Sequence, residues 1–364
     1  MRGSTNRTGG DSRVQALPVA AFPRRPSVPH PVRDALELLT GACGGNLTAV
    51  IFFGSRLLGT SPNAASASDL IVIVRDYMLF YRDVGSQLPA ARHIGIITAL
   101  NRVLPPNIIN LNDPGGMRAG AKCFIVSERD FRHAMSRASR DYFFRGRLSQ
   151  RVEIVYARRP QARERVEEYL AMARRLTLDW VPFYFQESFT VEEYCLRMLE
   201  VSYAGEIRPE SSNRVREVYE AQADFFRLVY QRVLDDAVSG GALLRAGNRY
   251  RVAEPRSRTM KRHWRWFWLR SKIRATLRWF KYMLTFDDWL DYIVHKVERR
   301  TGMRVELTPE ERRAPFLLLW PKVYRVLRHM RSAPSQAAAA ADAHGAPADR
   351  HASADADPDG QDLH

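Results

Sequence analysis

The chain has 364 residues, 45% of them hydrophobic, which suffices for two modest domains and excludes a wholly disordered protein. Its 56 Lys and Arg outweigh 40 Asp and Glu, for a formal net charge of +16. That excess calls for an anionic partner: nucleotide, nucleic acid or acidic membrane surface. Cys43, Cys123 and Cys195 lack metal-ligand or CxxC spacing, and no apolar run nears the roughly 18 residues of a membrane span. A disulfide scaffold, a structural zinc site and an integral membrane protein are therefore excluded, and a soluble or peripheral protein in a reducing compartment is expected.

Residues 1–31 mix Gly, Ser, Arg and Pro without periodicity and read as a disordered arm. From 32 to 158 the pattern alternates. A helix is predicted at Val32–Leu39, then strands near Thr48–Phe53, Leu70–Val74, Asn107–Leu111, Lys122–Val126 and Val152–Tyr156. Residues 159–254 read as helical, with helices at Arg163–Arg175, Val191–Ser202 and Asn213–Val238. A hairpin then turns at Gly247-Asn248, an order that suits a winged-helix domain. Residues 255–330 form a basic, aromatic region, and 331–364 an Ala-, Asp- and Pro-rich tail too polar to pack.

The stretch richest in chemistry is the apolar run Thr48–Phe53 ending in Gly54-Ser55, followed after thirteen residues by Asp69-Leu70-Ile71-Val72-Ile73-Val74. Gly54 permits close backbone approach to a phosphate chain, and Ser55 offers a hydroxyl and an amide. The same residue types also serve as plain turns and caps. The pattern resembles the nucleotidyltransferase (polymerase-beta-like) superfamily. That likeness implies an α+β fold with a mixed sheet, a nucleotide triphosphate at Gly54 and Ser55, and Mg²⁺ held by Asp69. The superfamily's second carboxylate, two residues on, is Ile71 here. Asp76 falls on the opposite side of the strand, so Glu153 is the candidate from a neighbouring strand; its plainer reading is a solvent-facing strand residue.

A narrower resemblance joins Phe53-Gly54-Ser55 and Asp69–Asp76 to Lys122-Cys123-Phe124-Ile125-Val126, Arg145-Gly146-Arg147-Leu148 and the basic run Ser271–Tyr282. In this order the blocks are similar to the mitochondrial-type phosphatidate cytidylyltransferases, the peripheral CDP-diacylglycerol synthases of the translocator assembly and maintenance family. The likeness implies CTP and phosphatidate as substrates, CDP-diacylglycerol and pyrophosphate as products, and Mg²⁺ as cofactor. It departs at Arg56, where the family has Gly, at Cys123-Phe124, and at Ser149-Gln150-Arg151. Lys122 stands out on its own, as the sole lysine before residue 261 among six in the chain. A strand lysine beside the Gly-Ser turn is a point charge for a triphosphate. Arg147 is a candidate phosphate clamp.

Residues 256–285 hold ten Lys and Arg, no acid and seven aromatics. On a helix, Trp266, Leu269, Ile273, Leu277, Phe280 and Leu284 form one stripe, with Arg274, Arg278 and Lys281 on the other side. Trp266, Lys272, Arg274, Arg278, Trp279 and Lys281 are the expected contacts to an anionic lipid surface. Aromatics interleaved with arginines equally suit single-stranded nucleic acid, and a core helix with a basic polar face is the plain alternative. The expectation is a peripheral membrane enzyme, on the cytoplasmic face in a bacterium or the matrix side of the inner membrane in a mitochondrion. Its rivals are a nucleotidyltransferase acting on RNA or another small acceptor, and an inactive membrane- or nucleic-acid-binding module.

Overall fold

The computed structural model describes residues 28–60, 67–85, 93–111, 120–204, 212–253 and 258–285, with 294, 307–308 and 310–311. Residues 1–287 form one compact unit and 288–364 another. In the second, the Thr308 amide donates to the Glu311 carboxylate at 2.8 Å and the Glu311 amide to the Thr308 hydroxyl at 3.3 Å, a reciprocal helix cap. The tail from 331 and most of the amino-terminal arm lie outside the described residues.

The first unit opens with α1 (His30–Cys43), where Pro31 sits in the first turn and its missing amide leaves no bond unmade. There follow β1 (Leu47–Phe53), α2 (Ser55–Leu58), β2 (Ser68–Val74), α3 (Tyr77–Val84), α4 (Ile94–Val103), β3 (Asn107–Leu111), β4 (Ala121–Ser127), α5 (Glu128–Ala134), α6 (Phe143–Leu148) and β5 (Glu153–Ala157). All five predicted strands form, in the spatial order β3-β4-β2-β1-β5. β2 and β4 run parallel and the other pairs antiparallel, so the sheet is mixed and the fold is α+β.

β1 and β2 are apolar without alternation because both faces of the sheet are covered. Val50, Phe52, Leu70, Val72, Cys123 and Ile125 pack with Leu39 of α1 and Phe80 of α3. Ile51, Phe53, Ile71, Ile73 and Phe124 pack with Phe131 of α5, Phe144 of α6 and Leu170 of the following helix.

That helix, α7 (Pro160–Arg175), leads through a short 3-10 turn into α8 (Val181–Tyr184), then α9 (Val191–Ala204), α10 (Ser212–Glu220) and α11 (Ala223–Ser239). A single helix was expected over 213–238, but the chain breaks at Gln222. Its side chain accepts from the Arg151 amide at 2.8 Å and donates to Gln150 and the Val218 carbonyl. The break thus ties the helical layer to the segment entering β5. β6 (Leu243–Ala246) and β7 (Arg249–Val252) form the expected hairpin, with Gly247 at φ 62°. Tyr250 bonds back to Phe189 through both main-chain groups.

The last described helix, α12 (Arg258–Thr285), serves two cores. Its first half sends Trp264 and Phe267 into the aromatic core of α9 and α11, beside Tyr194, Phe226 and Tyr230. Its second half lies against the end of α4 and the start of β3. The basic region therefore belongs to the same compact unit as the sheet.

Candidate functional site

Strand register places Asn110, Lys122, Asp69 and Phe53 side by side across β3, β4, β2 and β1. Directly paired residues project to one face. The row therefore lies on the face carrying Phe53 and Phe124, and it is the last row before β1 turns into Gly54. Asn110, Lys122 and Asp69 are all half-buried, reachable from solvent at the end of an otherwise apolar face.

Gly54 closes the row. Its φ of 85° favours glycine, and a Cβ there would stand 2.8 Å from Asp69 Oδ2. Any side chain at this position would crowd the carboxylate. Ser55 begins α2 immediately afterwards, half-buried, and residues 61–66 of the following loop lie outside the described residues. Gly54, Ser55, Asp69 and Lys122, separated by up to 68 positions in the chain, thus meet at one end of the sheet.

Arg147 joins them from α6 over an aromatic floor. Phe53 and Phe124 have ring centres 5.5 Å apart, and Phe124 and Phe143 5.8 Å. Lys122 Nζ stands 4.9 Å from the Phe124 ring centre, and the Arg147 guanidinium 4.0 Å from that of Phe143. Gly146 has a packing role beside it: a Cβ would come within 2.5 Å of Ser202 Oγ, so its absence lets α6 press on α9.

Glu153 does not join the row. It pairs with Phe52, on the face occupied by α1, whereas Asp69 pairs with Phe53 on the other. Asp76 is the N-cap of α3, accepting from the Leu79 amide at 3.0 Å, with its main chain held by Asn46. Among the described residues no three His, Cys, Asp or Glu cluster as a metal cage. The residues present nonetheless fit Mg²⁺, which keeps several waters and needs one or two carboxylates plus substrate phosphates. Asp69 is the carboxylate of this row that would hold it.

The cations of α12 are distributed differently from the expected lipid-facing set. Lys272 and Trp266 are exposed, and the Trp279 side chain lies outside the described residues. Arg274, Arg278 and Lys281 face inward instead. Arg274 Nε donates to Asp141 at 2.7 Å, and Arg278 Nη2 to the same oxygen at 2.6 Å, while Arg278 Nε reaches the Pro105 carbonyl. Lys281 Nζ donates to the carbonyls of Leu104 and Pro106. The reason is elementary: these carbonyls and Asp141 need donors once covered, and long basic side chains supply them.

The electrostatics follow from this burial. Desolvation alone would raise the Asp141 carboxyl, but Arg278 and Arg274 hold it below its ordinary value. Burial pushes Arg278 down, opposed by Asp141 and reinforced by the like charges of Arg274 and Arg147. Burial pushes Lys281 well below its ordinary range, with Arg278 and Arg274 adding to the effect.

The stripe on the far side of α12 is left outward. Trp266, Leu269, Ile273, Leu277 and Phe280 are each between 46% and 62% exposed. Sequence reasoning missed Asp141, although it is the single acid between Asp130 and Glu153 in a run of arginines. It also missed Tyr282, whose hydroxyl accepts from Asn110 at 3.4 Å and so brings α12 to the edge of the polar row. The sequence matches no protein-family model, and no curated protein matches it.

Proposed function

We propose that the protein is a Mg²⁺-dependent nucleotidyltransferase that transfers a cytidylyl group from CTP to the phosphate of phosphatidate at a membrane surface. The observation that carries this reading is the row Asn110-Lys122-Asp69 ending at Gly54-Ser55, a strand-turn-helix and a neighbouring carboxylate set beside one lysine. Gly54 and Ser55 bind the triphosphate, and Lys122 and Arg147 offset charge on it. Mg²⁺, when bound, neutralises phosphate oxygens and orients the leaving pyrophosphate. The acceptor is already an anion near neutral pH, so it attacks the α-phosphorus without a dedicated base. The α9–α11 layer with its hairpin is read as a winged-helix-like appendage to this nucleotidyltransferase domain.

The outward stripe of α12 supports the membrane part of the reading. An exposed row of Trp, Leu, Ile and Phe flanked by exposed Lys261, Arg262, Arg265 and Lys272 has the make-up of an interfacial helix on anionic lipid. The contact is thus apolar at its centre and basic at its rim. Arg274, Arg278 and Lys281, which were expected to meet lipid, serve instead to hold the helix down.

The test is direct. Purified protein with Mg²⁺ and each labelled nucleotide triphosphate is offered phosphatidate vesicles or RNA, and wild type is compared with Asp69→Ala. The expected result is label from CTP in lipid, reduced by about a hundredfold or more in the variant, the scale of losing one preorganised electrostatic group. Label in lipid that persists in Asp69→Ala rules out the site. Label in RNA instead of lipid replaces the acceptor, and no label in either removes the catalytic reading.

A further inference from the structure

Three strands change from apolar to polar at the same level of the sheet. On the face carrying Phe53, Ile71 gives way to Asp69 along β2, Phe124 to Lys122 along β4, and Ile108 to Asn110 along β3. Facing partners in such a row have β-carbons about 5 Å apart, so Asn110 and Lys122 reach the same space. β3 lies at the edge of the sheet beside β4, and α12 holds it at two points. Before the strand, Arg278 Nε donates to the Pro105 carbonyl at 2.8 Å and Lys281 Nζ to the Pro106 carbonyl at 2.7 Å. Within it, Asn110 Nδ2 donates to the hydroxyl of Tyr282, the residue directly after Lys281, at 3.4 Å. That bond uses one N–H of the carboxamide, and because the group is planar it also fixes the direction of the other. Asn110 and Tyr282 are both half-buried, so a ligand at this end of the sheet can reach the amide.

We infer that Asn110 donates to a phosphate oxygen of the triphosphate beside Lys122, and that Tyr282 is the positioning residue that aims it. The inference deepens the proposed function and rests on it for the word triphosphate. Residue type supports the assignment. A carboxylate at this position would bind Lys122 and repel phosphate, whereas a carboxamide donates to phosphate and leaves the Lys122 charge to the anion. A hydrogen bond to a charged oxygen is also stronger than one between neutral groups. The docking of α12 is thereby part of the site: the turn that secures the helix on the Pro106 carbonyl also sets the amide. A hydroxyl that only closed the helix against β3 would act on stability alone, and phosphate affinity would not depend on it.

The test uses full-length protein with Mg²⁺ and no acceptor, so that nothing turns over, and reads CTP and inorganic tripolyphosphate binding by calorimetry. Asn110→Ala is expected to weaken both about tenfold to a hundredfold, the range for a hydrogen bond to a charged group. Tyr282→Phe keeps the ring and loses the hydroxyl. It is expected to weaken both about threefold to tenfold, the scale of leaving one side chain for the ligand to order, with an unchanged melting temperature. The double variant is expected to bind as Asn110→Ala does, because the hydroxyl acts only through the amide. A further loss in the double variant, or wild-type affinity with a lower melting temperature in Tyr282→Phe, overturns the positioning role. Wild-type affinity in Asn110→Ala, or CTP weakened with tripolyphosphate unchanged, overturns the phosphate contact. If Asp69→Ala and Lys122→Met still lose CTP in that case, the proposed function stands without the inference. No binding of either ligand by wild type up to about 1 mM overturns both together. Binding that follows the expected pattern, with no nucleotide ever transferred to lipid, leaves the contact and removes the proposed reaction.

Discussion

Two charged clusters lie within one aromatic contact of each other, and they use charge in opposite ways. The row of Asn110, Lys122 and Asp69 is half-buried at an open end of the sheet, over a floor of Phe53 and Phe124. The cluster of Asp141, Arg274, Arg278 and Lys281 is nearly all buried and is anchored by bonds to a carboxylate and to main-chain carbonyls. The first leaves its polar groups reachable from solvent, so under the proposed function removing one is expected to change what the protein binds. The second holds α12 in place, so removing its acid strands cations in the interior. Residue type alone does not separate the two. Burial and the identity of the partner do.

The largest expected difference comes from the acid itself. Asp141→Ala leaves Arg274 and Arg278 without a counter-charge and is expected to cost about 3–5 kcal/mol in urea unfolding, the range for breaking a buried pair from one side. A cost no greater than that of an exposed pair would place Asp141 in solvent. Gly54→Ala is expected to cost about 1–3 kcal/mol, from the positive φ and the approach to Asp69, and to abolish transfer as well. An alanine protein with wild-type activity would mean that the carboxylate tolerates the crowding.

The same cluster carries a pH signature. The Asp141 carboxyl is held below its ordinary value, so the stability it contributes is complete above pH about 4, the unfolded carboxylate value. It is lost as pH falls through the lower folded value. Fluorescence of Trp264 and Trp268, which pack against Tyr142 and the aromatic core, is expected to report α12 leaving its seat only in that acid range. Release of the helix between pH 5 and 7 would assign the docking to other groups.

Much of the geometry at this end of the sheet was legible in the chain. The inner strands β1, β2 and β4 were visible because doubly covered strands are written as nearly unbroken apolar runs, and Gly54-Ser55 and Asp69 sit at the ends of those runs. The edge strands β3 and β5 are shorter and only partly covered. Lys122 stood out because it breaks an arginine habit. What could not be read was which side of α12 faces the protein. Its periodicity separates Leu269, Ile273 and Leu277 from Arg274, Arg278 and Lys281, but a stripe has no label for inside. The deciding features are far away in sequence: Asp141 and the uncovered carbonyls of Leu104, Pro105 and Pro106. Glu153 as a second carboxylate fails for a related reason, since one position along β5 decides the face, which leaves its plainer reading as an ordinary strand residue.

Lys122→Met sharpens the contrast from the other side. The residue is half-buried and its ammonium lies over a ring, so a similar apolar length is expected to keep stability within about 0.5 kcal/mol. Transfer activity is expected to fall while the melting temperature holds. Loss of both together would move Lys122 into the structural class with Arg278.

The smallest expected effect on stability is at the stripe. Leu277 and Ile273 are 49% and 48% exposed, so replacing either by Gln removes little buried area and is expected to shift unfolding by less than about 0.5 kcal/mol. Lipid binding is expected to respond far more, because each side chain buried in an interface removes apolar area from water at about 25 cal/mol per Å². The double variant Ile273→Gln/Leu277→Gln should therefore float poorly with phosphatidate-containing vesicles while melting as wild type does. A large loss of stability with unchanged flotation would show the opposite: that the stripe is covered in the folded protein and that its cations, not its apolar side chains, meet the membrane.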